Sequence, residues 1–451
     1  MRKFLTLTLL VLTLLFAACL CACTRTQPTP QPVQGEKGEK GESGVGIQNV
    51  EAVNGELIVT YTDGRRQSLG YLADLVEGED LGFYPLSDGT YAVDQGDSIY
   101  LEKIVIPETY KGRAVTKIVN NAFTGCKSLK EIYIPNGVTS IGKNAFNGCG
   151  SLKKISIPNS VVNIGEGAFN GCPLEYNEFE NGQYLGSEEN PYHTFVRADL
   201  FSSGKVELSK DTKVLCESAF WNHTEITEIV IPNTVSFSGY SVFKGCDNLQ
   251  SLTIPFVGDG LENTHLGYMF GAQDHSKNSQ CVPLSLTSVT VTGDKEIGEC
   301  AFYYCRNIEK IVLPQGLEKI GARAFYNCTG LEEINLPNSI CEIGESGFYN
   351  CVSLKEVIIP EGVRVISPSA FRACTSLTRV TLHGKITNIE GCAFMGCTTL
   401  KRIYIPASVE RIENEAFKSC AMLSIFCEAP KRPSGWNLDW NITNCPVIWN
   451  S

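Results

Sequence analysis

The chain has 451 residues, of which 43% are hydrophobic and 19% charged, and its formal net charge is -11. That much apolar material can bury a large core, and an acidic balance with no basic stripe argues against a nucleic-acid partner. Twenty cysteines raise a disulfide framework or a metal site, and their spacing has to decide between those readings.

The N-terminus reads as an export signal. Met1-Arg2-Lys3 is a short positive end, and Phe4 to Ala18 is an almost unbroken apolar run of secretory length. No later stretch holds about 20 consecutive apolar residues, the length a second membrane span needs. Leu20-Cys21-Ala22-Cys23 resembles a bacterial lipobox. That resemblance implies cleavage after residue 22, lipid on Cys23, and a protein anchored at the bacterial cell surface. Phe16-Ala17-Ala18-Cys19 offers a competing frame with Cys19 as the acylated residue.

Residues 24–44 form a stalk, first Pro/Gln-rich and then with glycine at positions 35, 38, 41 and 44. Collagen uses that period, but three triplets without proline favour a flexible spacer. Over 45–75, the alternation in Leu57-Ile58-Val59-Thr60-Tyr61, the turn at Asp63-Gly64 and the resumption at Arg66-Gln67-Ser68-Leu69 predict a small β-hairpin module.

From 85 to 427 one pattern dominates. Leu129, Ile132, Ile134, Pro135, Val138, Ile141, Gly142, Ala145, Phe146 and Cys149 recur as Leu331, Ile334, Leu336, Pro337, Ile340, Ile343, Gly344, Gly347, Phe348 and Cys351. Cys305, Cys328, Cys351, Cys374, Cys397 and Cys420 are spaced 23 apart, as are Cys126, Cys149 and Cys172. Such a unit cannot bury its apolar face alone, so repeats stack into a solenoid. Leu-x-x-Ile-x-Ile makes a short parallel strand with both isoleucines inward, proline ends it, and Gly after the next Ile permits positive φ. The rest of each coil is turn or irregular backbone on the convex side. About twelve coils are expected, with Ser209, Thr292 and His383 standing in the proline register. Insertions interrupt the period near 173–204 and 256–286, and residues 428–451, with Trp436, Trp440 and Trp449, should cap the core.

The consensus resembles the BspA-type leucine-rich repeat of bacterial surface proteins. That resemblance implies a repeat solenoid of leucine-rich-repeat type and a role in adhesion to host, matrix or other surface proteins.

A cysteine recurring at one register faces the core as a small hydrophobe, so the ladder Cys126, Cys149, Cys172, Cys305, Cys328, Cys351, Cys374, Cys397 and Cys420 is expected to stay reduced. Off the ladder, Cys427 with Cys445 is the pair best placed for a bridge. No Cys-x-x-Cys occurs, and the five histidines are scattered, so neither metal, cofactor nor catalytic residue is expected. What remains is the outward row of the strands: Tyr133, Ser156, Val230, Thr253, Val312, Asn335, Ile358, Thr381 and Tyr404. Its mix of Tyr, Val and Ile beside charged neighbours predicts a protein-binding face. Two other roles fit the same residues: a structural envelope protein that binds envelope polymers or itself, and a glycan-binding accessory using the terminal tryptophans.

Overall fold

The structure, a computed structural model, describes residues 47–53, 56–62, 64–71, 81–180, 182–199 and 204–450. The leader, both candidate acylation cysteines and the stalk lie outside them. The chain divides into two compact units, Met1–Gly70 and Tyr71–Ser451.

The first unit holds three strands, Ile47–Val53, Glu56–Tyr61 and Arg66–Tyr71, in that order in one sheet. The turn before the third strand is closed by the Gly64 N–H on the Tyr61 carbonyl at 2.9 Å, with Gly64 at φ +82. The expected hairpin is therefore a three-stranded sheet. Ile47–Val53 pairs antiparallel with Glu56–Tyr61 and covers an edge that a lone hairpin would leave open.

The second unit is a parallel β-solenoid of about 15 turns. Motif counting gives twelve because the end turns keep the strand and lose the motif, as in Ser424–Cys427 and Val447–Trp449. Each regular coil contributes one strand to each of two ladders. Glu228–Val230 pairs in register with Ser251–Ile254 in the first, and Ser140–Ile141 with Asn163–Ile164 in the second. Between them the chain turns at the proline register, where the N–H three residues on donates to the proline carbonyl, as Val161 does to Pro158 at 3.1 Å. Ser209 and His383 close the same turn with Thr212 and Ile386.

The third side carries the core signature. Phe302, Phe325, Phe348, Phe371, Phe394 and Phe417 are fully buried and stack ring on ring at 4.9–5.7 Å. Beside them the ladder thiols donate to carbonyls of the preceding coil: Cys149 to Phe123 and Cys397 to Phe371, at 3.0 and 3.1 Å. Cys246 is a further member of the ladder, and Cys172, at the end of the first block, is only half-buried. The described cysteines are all free thiols, Cys427 and Cys445 included. Burial raises Cys374 to about 12, which keeps it protonated and unreactive.

The glycine after the second-ladder isoleucine is present for a different reason from the one expected. Gly142 and Gly165 do not have positive φ. Instead, a Cβ on Gly165 would stand 2.3 Å from the Lys143 amide nitrogen, and one on Gly142 2.5 Å from that of Asn120. Close approach of the preceding coil excludes the side chain. The left-handed residues fall two positions later, at Asn144, Ser241, Arg323 and Ser346, and just before the ladder cysteine, at Gly148, Asn327 and Asn350.

Both insertions join the core. The first provides Asn177–Phe179, Gly182–Leu185 and Thr194–Ala198, and Phe195 stacks on Phe220 at 4.7 Å. The second forms short helical turns at Leu266–Phe270 and His275–Lys277 and a single α-turn at Asn278–Cys281. Its Phe270 lies 5.7 Å from Phe243. Each insertion is an enlarged coil that brings an aromatic ring against the stack, where an empty place would leave a cavity. The terminal segment continues this logic. Trp440 packs edge-on to Phe417 at 6.0 Å, and Trp436 donates from Nε1 to the Val409 carbonyl at 3.0 Å.

The ladders are interrupted at the insertions, and also at one step between two regular coils. The strand ladder that includes Glu333–Ile334 stops there, and a new one starts at Glu356–Ile358; the second ladder stops at Glu342–Ile343 and restarts at Val365–Ile366. The aromatic side continues across the step, with the Phe348 N–H on Ala370 and Asn350 on Arg372, both at 2.8 Å. Ser367 stands where earlier coils have the close-approach glycine, and its hydroxyl donates to the Ile343 carbonyl. In the coil before, the Gly344 N–H makes the corresponding bond to Ile320. With both strand ladders interrupted, amides of Glu356–Ile358 should exchange with deuterium at least about tenfold faster than those of Lys310–Val312, whose ladder is continuous. Equal protection in native-state exchange would mean that the step is as firmly closed as its neighbours.

Candidate binding face

The outward row of the first ladder is built by strand alternation. Ile229 and Leu252 point inward and are fully buried, so Val230 and Thr253 must face out. The nine residues of the row do not form one continuous ladder. Tyr133 lies beside Ser156, with Val105 on its other flank. Val230 pairs with Thr253, which pairs with Thr290, and Thr290 pairs with Val312. Ile358 lies beside Thr381, and Asn335 is exposed on the other side of the irregular step. Ser156, Val230 and Thr253 are half-buried, whereas Tyr133, Val312, Thr381 and above all Ile358 and Tyr404 are open to solvent.

The structure extends the row past Tyr404 in a way that spacing conceals. Tyr404 pairs with Phe426, and Phe426 with Ile448, a step of 22 residues where the body of the repeat uses 23. Counting in 23s lands on the wrong side of the strand, so Phe426 and Ile448 escape the motif. Inward Ile425 and Cys427 bracketing Phe426 are the signal that finds it. The Tyr404 and Phe426 rings stack at 5.0 Å. Ile358, Tyr404 and Ile448 are 68%, 58% and 45% exposed, which makes this the apolar end of the face.

Charge varies along the same surface. In the adjoining row Lys103 meets Glu131 at 3.4 Å, Lys205 meets Glu228 at 3.7 Å, and Arg379 meets Glu356 at 3.7 Å. These are exposed pairs that contribute little to stability. Arg402 sits directly opposite Arg379. Among the described residues, neither Arg402 nor Lys401 has a carboxylate within ion-pair distance. Thr378, Arg379, Thr381, Leu382, Arg402 and Tyr404 line a shallow hollow of about 610 Å³.

The histidines are not brought together. His223 contacts Glu225 at 2.7 Å, His265 contacts Asn278 at 2.9 Å, and the His383 Nε2 reaches the Pro360 carbonyl at 2.6 Å. His275 packs against Tyr303, and His193 is buried beside Thr194. Among the described residues, no group of three or more His, Cys, Asp or Glu side chains is placed to hold a metal ion. Nor is any helix there long and apolar enough to cross a membrane.

Comparison with known proteins agrees with this architecture. A family model described as BspA type leucine rich repeat region matches residues 97–188, 193–264 and 295–424 in six copies. Similar solved structures include a leucine-rich repeat protein from Bacteroides ovatus, at 24% identity over 82% of this chain and 89% of that one, with a TM-score of 0.39. A leucine rich cell surface protein from Faecalibacterium prausnitzii is 24% identical over 83% of this chain and 94% of its own, with a TM-score of 0.25. The pneumococcal vaccine antigen PcpA is 13% identical over 90% of this chain and 100% of its own, with a TM-score of 0.24. No curated protein matches. With the family model covering well over half of its length, the chain belongs to the BspA-type leucine-rich repeat family.

Proposed function

We propose that this chain is exported, anchored by lipid on Cys23, and displayed at the cell surface as an adhesin-like, non-catalytic scaffold that binds a protein partner through its strand face. The observation that carries the reading is the open cluster of Ile358, Tyr404 and Ile448 beside Phe426 and an arginine with no ion pair among the described residues. Tyr and Arg set on apolar ground are the side chains that anchor protein interfaces. Membership in a family built on a binding scaffold supports the reading. So does the apolar leader, followed by a polar stalk long enough to lift the repeats off a membrane.

Protease shaving of intact cells, read by mass spectrometry, tests display and anchorage together. Wild-type cells should release repeat peptides. Cys23→Ser should lower the cell-associated protein by about tenfold or more, because two acyl chains hold far better than none, and Cys19→Ser should leave it in place. Repeat peptides protected in wild-type cells would put the solenoid inside the envelope and favour the structural role.

A further inference from the structure

We propose that the C-terminal third of the strand face takes an acidic polypeptide segment with aromatic or aliphatic side chains, held between Arg402 with Lys401 and the Tyr404–Phe426 pair. The inference rests on the protein-binding reading above and narrows it to one place and one ligand chemistry.

The first argument is electrostatic. Arg379 and Arg402 are directly opposed on neighbouring strands, an arrangement that disfavours the sheet by itself. Glu356 relieves Arg379, but nothing among the described residues relieves Arg402 or Lys401. Both side chains are exposed in a chain of net charge -11. A carboxylate arriving from outside relieves that repulsion, and the planar guanidinium holds it in a fixed geometry.

The second argument is apolar. Tyr404 and Phe426 stack at 5.0 Å, and Tyr404 stays open to solvent while Phe426 is half-buried. Ile358 and Ile448 extend the patch along the row. The ligand must therefore bring apolar side chains as well as charge, which a peptide does and a bare polyanion does not. A long polyanion is further disfavoured by Glu333 and Glu309, which are exposed three and four coils upstream and would repel it. A short acidic segment stays clear of them. The hollow between Arg379, Leu382 and Tyr404 has room for one such side chain.

The test uses the purified full chain and a fluorescent random copolymer of glutamate and tyrosine, read by anisotropy. Polyglutamate and a lysine–tyrosine copolymer serve as controls. The glutamate–tyrosine copolymer should bind more tightly than polyglutamate and weaken with added salt. Arg402→Glu and Tyr404→Ala should each weaken it by about tenfold or more. Lys295→Glu makes the same charge change on a different part of the solenoid and should leave binding unchanged; Arg402→Gln replaces Arg402→Glu if reversal unfolds the coil. Equal losses from Lys295→Glu, or equal binding of the lysine–tyrosine copolymer, would overturn the proposal. So would a dimer seen by light scattering that Tyr404→Ala abolishes while the copolymer does not bind, which would make a second copy the occupant. Cell-surface shaving can fail without affecting this result, and the two outcomes therefore separate display from ligand chemistry.

Discussion

Phe348→Ala should lower the stability of the solenoid by about 3–5 kcal/mol and split its unfolding into two transitions. Phe348 is fully buried and stacks between Phe325 at 4.9 Å and Phe371 at 5.3 Å. Truncation removes both contacts and leaves a cavity. The neighbourhood is poorly equipped to fill it, because Gly347 occupies the register that holds alanine in adjacent coils. The splitting follows from position. Phe348 sits at a step where both strand ladders stop, so the aromatic side, through its ring stacking and its backbone hydrogen bonds, carries much of the coupling between the coils before and after. Phe394→Ala removes an equivalent ring where both ladders are continuous and should cost a similar amount in a single transition. Urea unfolding followed by circular dichroism distinguishes the two. One cooperative transition in Phe348→Ala, with a loss below about 1 kcal/mol, would show that the irregular step is closed by other means.

The repeat itself is easy to read from sequence because the constraint repeats. A core position such as Phe302 or Cys305 meets its own copy one coil away, so the same residue type is favoured every 23 positions. Features that depend on two unlike coils cannot be read this way. Gly165 is required by the position of the Lys143 amide, and nothing in its own coil distinguishes close approach from a left-handed turn. The halt in the ladders is a property of the pair formed by 331–351 and 354–374. Its traces, Gly347 and Ser367, look like ordinary drift until the coils are stacked. Phe195 and Phe270 lie in segments whose spacing departs from the repeat, yet each packs its ring against a phenylalanine of the stack, because the core calls for an aromatic ring in space and leaves the length of chain that supplies it free.

The outward row of the strands shows the same limit. Strand alternation correctly placed Val230, Thr253, Ile358 and Tyr404 outward. It could not show that the row is broken into separate runs, or that the 22-residue step adds Phe426 and Ile448 to the last of them. That Arg402 has no ion pair among the described residues is likewise visible only when the neighbouring side chains are placed, since acidic residues are plentiful in the sequence around it.

Acidification from pH 6.5 to about 4 should cost the solenoid about 3 kcal/mol through His193 alone, over and above the titration of its carboxylates. His193 is fully buried. Its Nδ1 is 2.9 Å from the Thr194 hydroxyl, and its Nε2 has no hydrogen-bond partner among the described residues. Burial, then the charge of Lys213, lowers its pKa to about 4; the nearby carbonyls of Val161 and Asn159 oppose the shift only in part. The folded value is thus depressed below the unfolded value near 6.5. Stability from the neutral ring is complete above pH 6.5 and is lost as pH falls through 4, because the unfolded chain takes up the proton first. The location decides what gives way. The His193 carbonyl accepts from Lys213 and Val214, while its ring lies toward Asn159 and Val161 of the preceding block. Protonation therefore acts where the first insertion joins the two blocks. His193→Gln is expected to be less stable at pH 7 but to show a flatter dependence, losing about 3 kcal/mol less than wild type between pH 6.5 and 4. Urea unfolding across that range measures both slopes. Parallel slopes would show that the ring is protonated in the folded chain without penalty, and the acid response would then belong to the carboxylates.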